Sequence, residues 1–324
     1  MGLEVSPNRL LPTTQERVGL VVDGANAASA VKTIVAAEAA GVRQIWMVQP
    51  PSGPDTLTTL SAATKTSTIR LGTSIVPTYP RHPLVMAQQA LSLYDIAPGR
   101  LRLGIGPSHQ AIIEGIYGLS QTTPLAHLRE YVKVLRAALW EGKVDHHGQF
   151  FNVVITLPRT TQTPVLISTL GKKAFELAGE IADGALSWVC PVPYLLNTGI
   201  PALRRAAAAN GRSAPLLVAH ISVALSEDRH SVMAAGHRVL DMYAKLPFYA
   251  KMFADAGFPL TADQMLVPES LVDSLIVSGN EATVAARFTE LLAAGLDELM
   301  VTLVPIKDEA VDEQTRLMHL IGQL

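Results

Sequence analysis

Eight short apolar runs, each followed by a helical stretch, set the possible architecture of this chain more tightly than any other feature. The runs are Val18–Val22, Ile45–Val48, Ile69–Val76, Leu101–Ile105, Pro164–Ser168, Ala185–Val189, Leu216–Ala224 and Glu298–Val304. Helical signals fall between them. Ala27–Ala40 is closed by Gly41 as the residue past its carboxyl end. Asp55 is placed to cap a helix running to Ala63, and Pro83 stands at the favoured first position of another. Strands alternating with helices pair in parallel through right-handed crossovers. Eight of them predict an α/β fold, a (β/α)8 TIM barrel filled by Val, Ile and Leu. A doubly wound open sheet is the alternative.

Two stretches exceed a plain βα unit. After the fourth strand come a helix over Leu125–Trp140 and a turn-rich hairpin over Glu141–Asn152. Between the seventh and eighth strands lies a helical insertion from about 227 to 296. A last helix is predicted over Glu309–Ile321. Residues 1–16, with Pro7 and Pro12 and no periodic pattern, read as a flexible leader, and 17–324 as one domain.

Charge and composition narrow the function. With 26 basic against 28 acidic residues and no run of either sign, a nucleic-acid or membrane-surface partner is not predicted. No apolar stretch reaches a membrane span, and the beginning of the chain lacks a signal-peptide core, so a cytoplasmic address is expected. Cys190 is the one cysteine, which excludes an internal disulfide; it reads as a small buried hydrophobe.

In a barrel of this type the loops after the strands line one mouth, where chemistry takes place. Two such loops stand out. In Ile167-Ser-Thr-Leu-Gly-Lys-Lys173 a strand ends in hydroxyls, a glycine turns the chain, and two lysines open a helix. Lysines oppose the helix dipole at that end, and a bound phosphate would resolve the conflict. The plain alternative leaves both lysines in water. In Arg100-Leu-Arg-Leu-Gly-Ile-Gly-Pro-Ser-His109 the glycines let a flat group approach the backbone. The third glycine and the acidic residue of a dinucleotide fingerprint are absent. His109 is the stronger clue, since an imidazole at a strand's carboxyl end can move a proton near neutral pH. A neutral, hydrogen-bonded His109 without a catalytic role is the competing reading.

Other motifs carry less. Asp145-His146-His147 puts adjacent rings on opposite faces of a strand and reads as hairpin surface. There is no HExxH or Cys/His spacing, so no metal is predicted, and no G-x-S-x-G elbow. His82 either meets a cofactor or caps its loop.

The run Leu71-Gly-Thr-Ser-Ile-Val-Pro-Thr-Tyr-Pro-Arg-His-Pro83, with Ala87–Leu91 and Pro98–Pro107, resembles the bacterial-luciferase-like superfamily. Within it the chain is most similar to the actinobacterial branch that uses the deazaflavin coenzyme F420. Pro164–Ala185 resembles the stretch that carries the cofactor phosphate there, and Gly148-Gln-Phe-Phe151 resembles the family's hairpin. The resemblance covers residues 17–305. It implies a (β/α)8 barrel, a homodimer, a tricyclic ring across the mouth and a small-molecule substrate. It implies a bulge at Ser74 and Ile75, with a non-proline cis peptide, supporting the ring. It places phosphate contacts at Ser168, Thr169, Gly171 and Lys172, and the loop Gly106, Pro107, Ser108 and His109 beside the ring. Where some relatives have a catalytic Glu this chain has His109, and where they have an Asp it has Gln49, so their sugar-phosphate chemistry does not transfer. The reading that follows is hydride transfer with His109 as proton donor or acceptor and Ser74 polarising the ring edge. An FMN-dependent monooxygenase and a non-catalytic flavin-binding protein are the alternatives. Trp46, Trp188, Tyr194, Tyr243, Phe248, Tyr249 and Phe253 plug the pocket in the second case and line or pack around it in the others. Met242–Phe253 suits a substrate lid or a dimer contact.

Overall fold

The computed structural model describes residues 12–260, 267–306 and 311–324. Eight strands form the barrel: β1 (Val18–Val22), β2 (Gln44–Met47), β3 (Arg70–Thr73), β4 (Leu101–Gly106), β5 (Val165–Thr169), β6 (Gly184–Ser187), β7 (Leu216–Ala224) and β8 (Glu298–Leu303). All pair in parallel, and β8 returns to β1 through Val18 opposite Leu299 and Leu20 opposite Val301. The predicted barrel is therefore present, and an open sheet is excluded.

Alternation along each strand sends one set of side chains inward and the other under the helices. Trp46, Leu166, Leu186, Val218 and Met300 fill the barrel. The outward set, with Val18, Leu20 and Val22 at its start, joins the larger core beneath the helices. Space for the Trp46 indole comes from two glycines. A β-carbon on Gly72 would lie 2.3 Å from Trp46 Cε3, and one on Gly19 would lie 2.9 Å from Nε1. Below Trp46, Arg102 donates to Glu298 Oε2 at 2.5 Å and Gln44 Oε1 at 2.9 Å, and its guanidinium lies 4.9 Å from the indole centre.

The helix signals hold where a cap was visible. Asp55 accepts from Thr58 N–H ahead of Thr56–Ala62, and Pro83 opens Pro83–Ile96. Four expectations need correction. The third strand does not run unbroken to Val76; it stops at Thr73 and resumes as Val76–Pro77 against β4. The hairpin uses a second strand, Asn152–Thr156, beyond the predicted end. The Glu130 carboxylate organises its turn by accepting the N–H groups of Gln149, Phe150 and Phe151. An unpredicted helix, Gln110–Gly115, follows β4. Residues 1–11 of the predicted leader lie outside the described residues, but Thr14–Arg17 is a capped helical turn. Gln15 pins it by donating to the carbonyls of Gly41 and Gly322.

The insertion contains the helices Arg229–Ala244, Pro247–Asp255, Glu269–Leu275 and Glu281–Ala293, with a short strand, Ile276–Ser278, added beside β7. The last helix spans Val311–Gly322, and its predicted start at Glu309 lies outside the described residues. Among the described residues no helix is long and apolar enough to cross a membrane.

Candidate active site

The break in β3 brings three strand ends together. Ser74 and Ile75, joined by a cis peptide, occupy the break. Ser74 N–H donates to Met47 O at 2.7 Å, and its hydroxyl lies 3.2 Å from Met300 Sδ inside the barrel. Thr73 locks the neighbouring strand: its hydroxyl donates to Gly104 O at 2.7 Å and accepts Gly104 N–H at 2.8 Å. Two residues on, a β-carbon on Gly106 would fall 2.2 Å from Ser168 Oγ and 3.3 Å from Ile75 Cγ1. Ile75, Gly106 and Ser168 thus converge at the ends of neighbouring strands.

Beyond Gly106 the chain turns sharply. Ser108 adopts a positive φ of 61°, unusual for a residue with a side chain. Gln121 holds the turn by donating from Nε2 to Pro107 O at 2.7 Å. His109 follows at the head of Gln110–Gly115, yet its side chain does not cap that helix. The ring is half-buried, and its centre lies 5.7 Å from that of Tyr249. Burial holds its pKa below the ordinary imidazole value, so the ring is neutral at pH 7.

The third part is the start of helix Lys172–Ile181. Gly171 precedes it with no side-chain cap, and nothing lies within 4 Å of where its β-carbon would be. The open space beside Gly171, with Lys172 and Lys173 exposed there, makes a helix start suited to an anion. It lies next to the Tyr194 hydroxyl, which donates to Leu170 O at 3.2 Å and meets the Lys172 N–H. Lys172 Nζ lies 3.9 Å from Glu176, a loose contact that leaves it able to swing. Thr169 departs from its expected role. Its side chain points away from the barrel axis, is 3% exposed, and donates to Leu186 O at 3.3 Å, because residues of β5 alternate and Ser168 takes the inward place.

Four residues complete the mouth, and their connection was not visible in the sequence. His220, on β7, stacks on Trp188 with ring centres 3.8 Å apart. Its Nδ1 accepts Val189 N–H at 3.3 Å, which leaves the proton on Nε2, 3.0 Å from Thr302 Oγ1. Burial pushes its pKa down to about 3, so it is a fixed neutral ring. Trp188 Nε1 in turn donates to the Tyr243 hydroxyl at 2.8 Å, and Tyr243 lies 4.9 Å from Tyr249 between ring centres. The insertion therefore reaches over the mouth and ends against His109. The alternation Leu216, Val218, His220, Ser222 was the available signal for His220.

Other candidates resolve into structural roles. His82 Nδ1 accepts Leu84 N–H at 3.2 Å and caps its helix. Gln49 Oε1 accepts Thr56 N–H at 2.8 Å. His146 bonds Glu130 at 3.0 Å while Asp145 and His147 are exposed. Cys190 is buried, its thiol pushed up to about 12. Among the described residues no group of His, Cys, Asp and Glu could hold a metal ion.

Comparison with known proteins agrees with this geometry. The luciferase-like monooxygenase family pattern matches residues 10–298. An uncharacterized protein of Mycobacterium tuberculosis is 31% identical over 71% of this chain and 73% of its own length. A putative coenzyme F420-dependent oxidoreductase of the same organism is 26% identical, covering 83% of this chain and 89% of its own. In fold, the coenzyme F420-dependent tetrahydromethanopterin reductase of Methanopyrus kandleri superposes with a TM-score of 0.77 at 22% identity, over 94% of this chain and 96% of that one. The barrel, its broken third strand and these matches together make the chain a member of the luciferase-like monooxygenase family.

Proposed function

We propose that the chain is a coenzyme F420-dependent oxidoreductase that moves a hydride between the deazaflavin and a small organic substrate. The observation that carries this reading is the placing of neutral His109 at a mouth built from Ile75, Gly106 and Ser168, with the open helix start at Gly171 on the same rim. The naming of relatives as F420-dependent supports it. Ser74, Ile75 and the Gly106–Ser108 turn would hold the ring, and Ser168, the N–H groups after Gly171 and Lys172 its phosphate. When bound, the deazaflavin gives a hydride to, or takes one from, a carbon of the substrate.

The chain's own residues then have three tasks. Gly106 lets the Ser168 hydroxyl and Ile75 close in on the strand end, because both stand where its side chain would be. The insertion covers the mouth with Tyr243 and Tyr249 and keeps water from the reacting atoms. His109 handles the proton. Held neutral at pH 7, its imidazole accepts a proton from a substrate hydroxyl in the oxidising direction and returns it in the reducing one. An anaerobic assay with the reduced or oxidised deazaflavin and a panel of alcohols and carbonyl compounds tests this reading. Turnover without oxygen is the expected result, and turnover only with reduced FMN and oxygen would replace it with a monooxygenase.

A further inference from the structure

The roof of the mouth carries information about the substrate itself. It consists of a continuous series of rings: His220 on Trp188, Trp188 bonded to Tyr243, Tyr243 on Tyr249, and Tyr249 on His109. Trp188 projects from the end of β6 onto the residues that fill the barrel, so this series starts on the barrel axis and ends at the proposed proton acceptor. The hydrogen bonding of Tyr243 is polarised. Its oxygen accepts the indole N–H at 2.8 Å, so its own O–H hydrogen is not used in that bond. The indole is held in turn by its stack on His220, and His220 is fixed at both ring nitrogens.

We propose that Tyr243 is the substrate-orienting residue, donating its hydroxyl hydrogen to the oxygen of a planar, uncharged alcohol or carbonyl compound that packs along this ring series. This inference rests on the oxidoreductase reading above and names the substrate class for the same site. The physical basis is direct. Rings pack best on flat, apolar partners, at about 0.5–1.5 kcal/mol per pair beyond area burial. The ring series also holds no cation, since its tyrosines are uncharged phenols and burial keeps His220 and His109 neutral, so the wall offers no countercharge to a phosphorylated substrate. Trp188 is a positioning residue: it orients the Tyr243 oxygen without touching the reacting atoms.

Two readouts test the proposal, one of them independent of the cofactor. The first is tryptophan fluorescence of the protein titrated with benzyl alcohol, with glucose 6-phosphate as the charged comparison. A saturable change with benzyl alcohol alone is expected, absent in Trp188→Phe and weakened about tenfold in Tyr243→Phe. No response to benzyl alcohol, or a response to glucose 6-phosphate instead, would overturn the substrate class. The second readout is steady-state turnover of benzyl alcohol, with deazaflavin affinity measured on the same variants. Tyr243→Phe should raise KM about tenfold with the cofactor Kd unchanged. An unchanged KM would remove Tyr243 from the substrate. Failure of the wild-type protein to bind the deazaflavin, with benzyl alcohol still bound, would overturn the cofactor reading and leave the aromatic site standing.

Discussion

Gly106 and Ser168 face each other across β4 and β5 so closely that a single methyl group on Gly106 would fall 2.2 Å from the Ser168 hydroxyl oxygen. The two positions therefore behave as one. Gly106→Ala should displace Ser168 and crowd Ile75, at a cost of about 1–3 kcal/mol for overpacking. Cofactor affinity is expected to fall tenfold or more. Adding Ser168→Gly should restore part of it, because it removes the clashing oxygen. A double-mutant cycle on cofactor Kd measures this coupling, and strict additivity would show that the two residues do not share a site.

His109 sets the pH dependence. Its pKa lies below the ordinary 6.5, and it must be unprotonated to accept a proton. In the oxidising direction kcat/KM should rise with pH through a value below ~6.5 and stay level above it. His109→Gln should lower turnover by ~10²-fold, abolish that acid limb and leave cofactor binding intact. An unchanged rate would remove His109 from the chemistry.

The floor of the barrel should matter for stability alone. The side chains of Arg102 and Glu298 are 10% and 11% exposed and pair with each other beneath Trp46. Removing one partner leaves a buried charge, at a cost of ~3–5 kcal/mol. Glu298→Gln should therefore lower Tm by several degrees while cofactor Kd is unaffected. Thermal unfolding with and without cofactor checks both halves.

His127 gives an acid-sensitive point away from the mouth. It stacks on Tyr79 at 4.0 Å, its Nδ1 has no partner, and burial pushes its pKa down to about 4. The unfolded chain takes up that proton near pH 6.5 and the folded chain does not. The stability involved is complete above 6.5 and is lost as pH falls towards 4, about 2 kcal/mol of it by pH 5. His127→Phe keeps the stack and should narrow the difference in Tm between pH 7 and pH 5. An unchanged difference would contradict the assignment.

The barrel was legible because its signals are local. Apolar runs, the Asp55 cap and Pro83 each act within a few residues, and the structure keeps them. The mouth was legible in part. Strand ends fix which loops meet there, so Gly106 and His109 could be placed, and the resemblance located Ser74 and Ile75. Thr169 could not be assigned, since β5 reads Val-Leu-Ile-Ser-Thr and both faces are buried, so no polar alternation shows which hydroxyl points inward. The bond from Trp188 to Tyr243 joins residues 55 apart across an insertion, and no local rule predicts it. Helix Gln110–Gly115 was missed because only Ile113 is buried, too little for a periodic signal.

The most direct test of the account is a fluorescence titration of the purified protein with coenzyme F420 and, separately, with FMN, repeated on Lys172→Ala. Tight binding of the deazaflavin alone is predicted, with affinity weakened about fivefold in the variant at low salt and by less at high salt, because Lys172 is exposed and its charge is screened. Preference for FMN, or binding of neither, would contradict the proposed function.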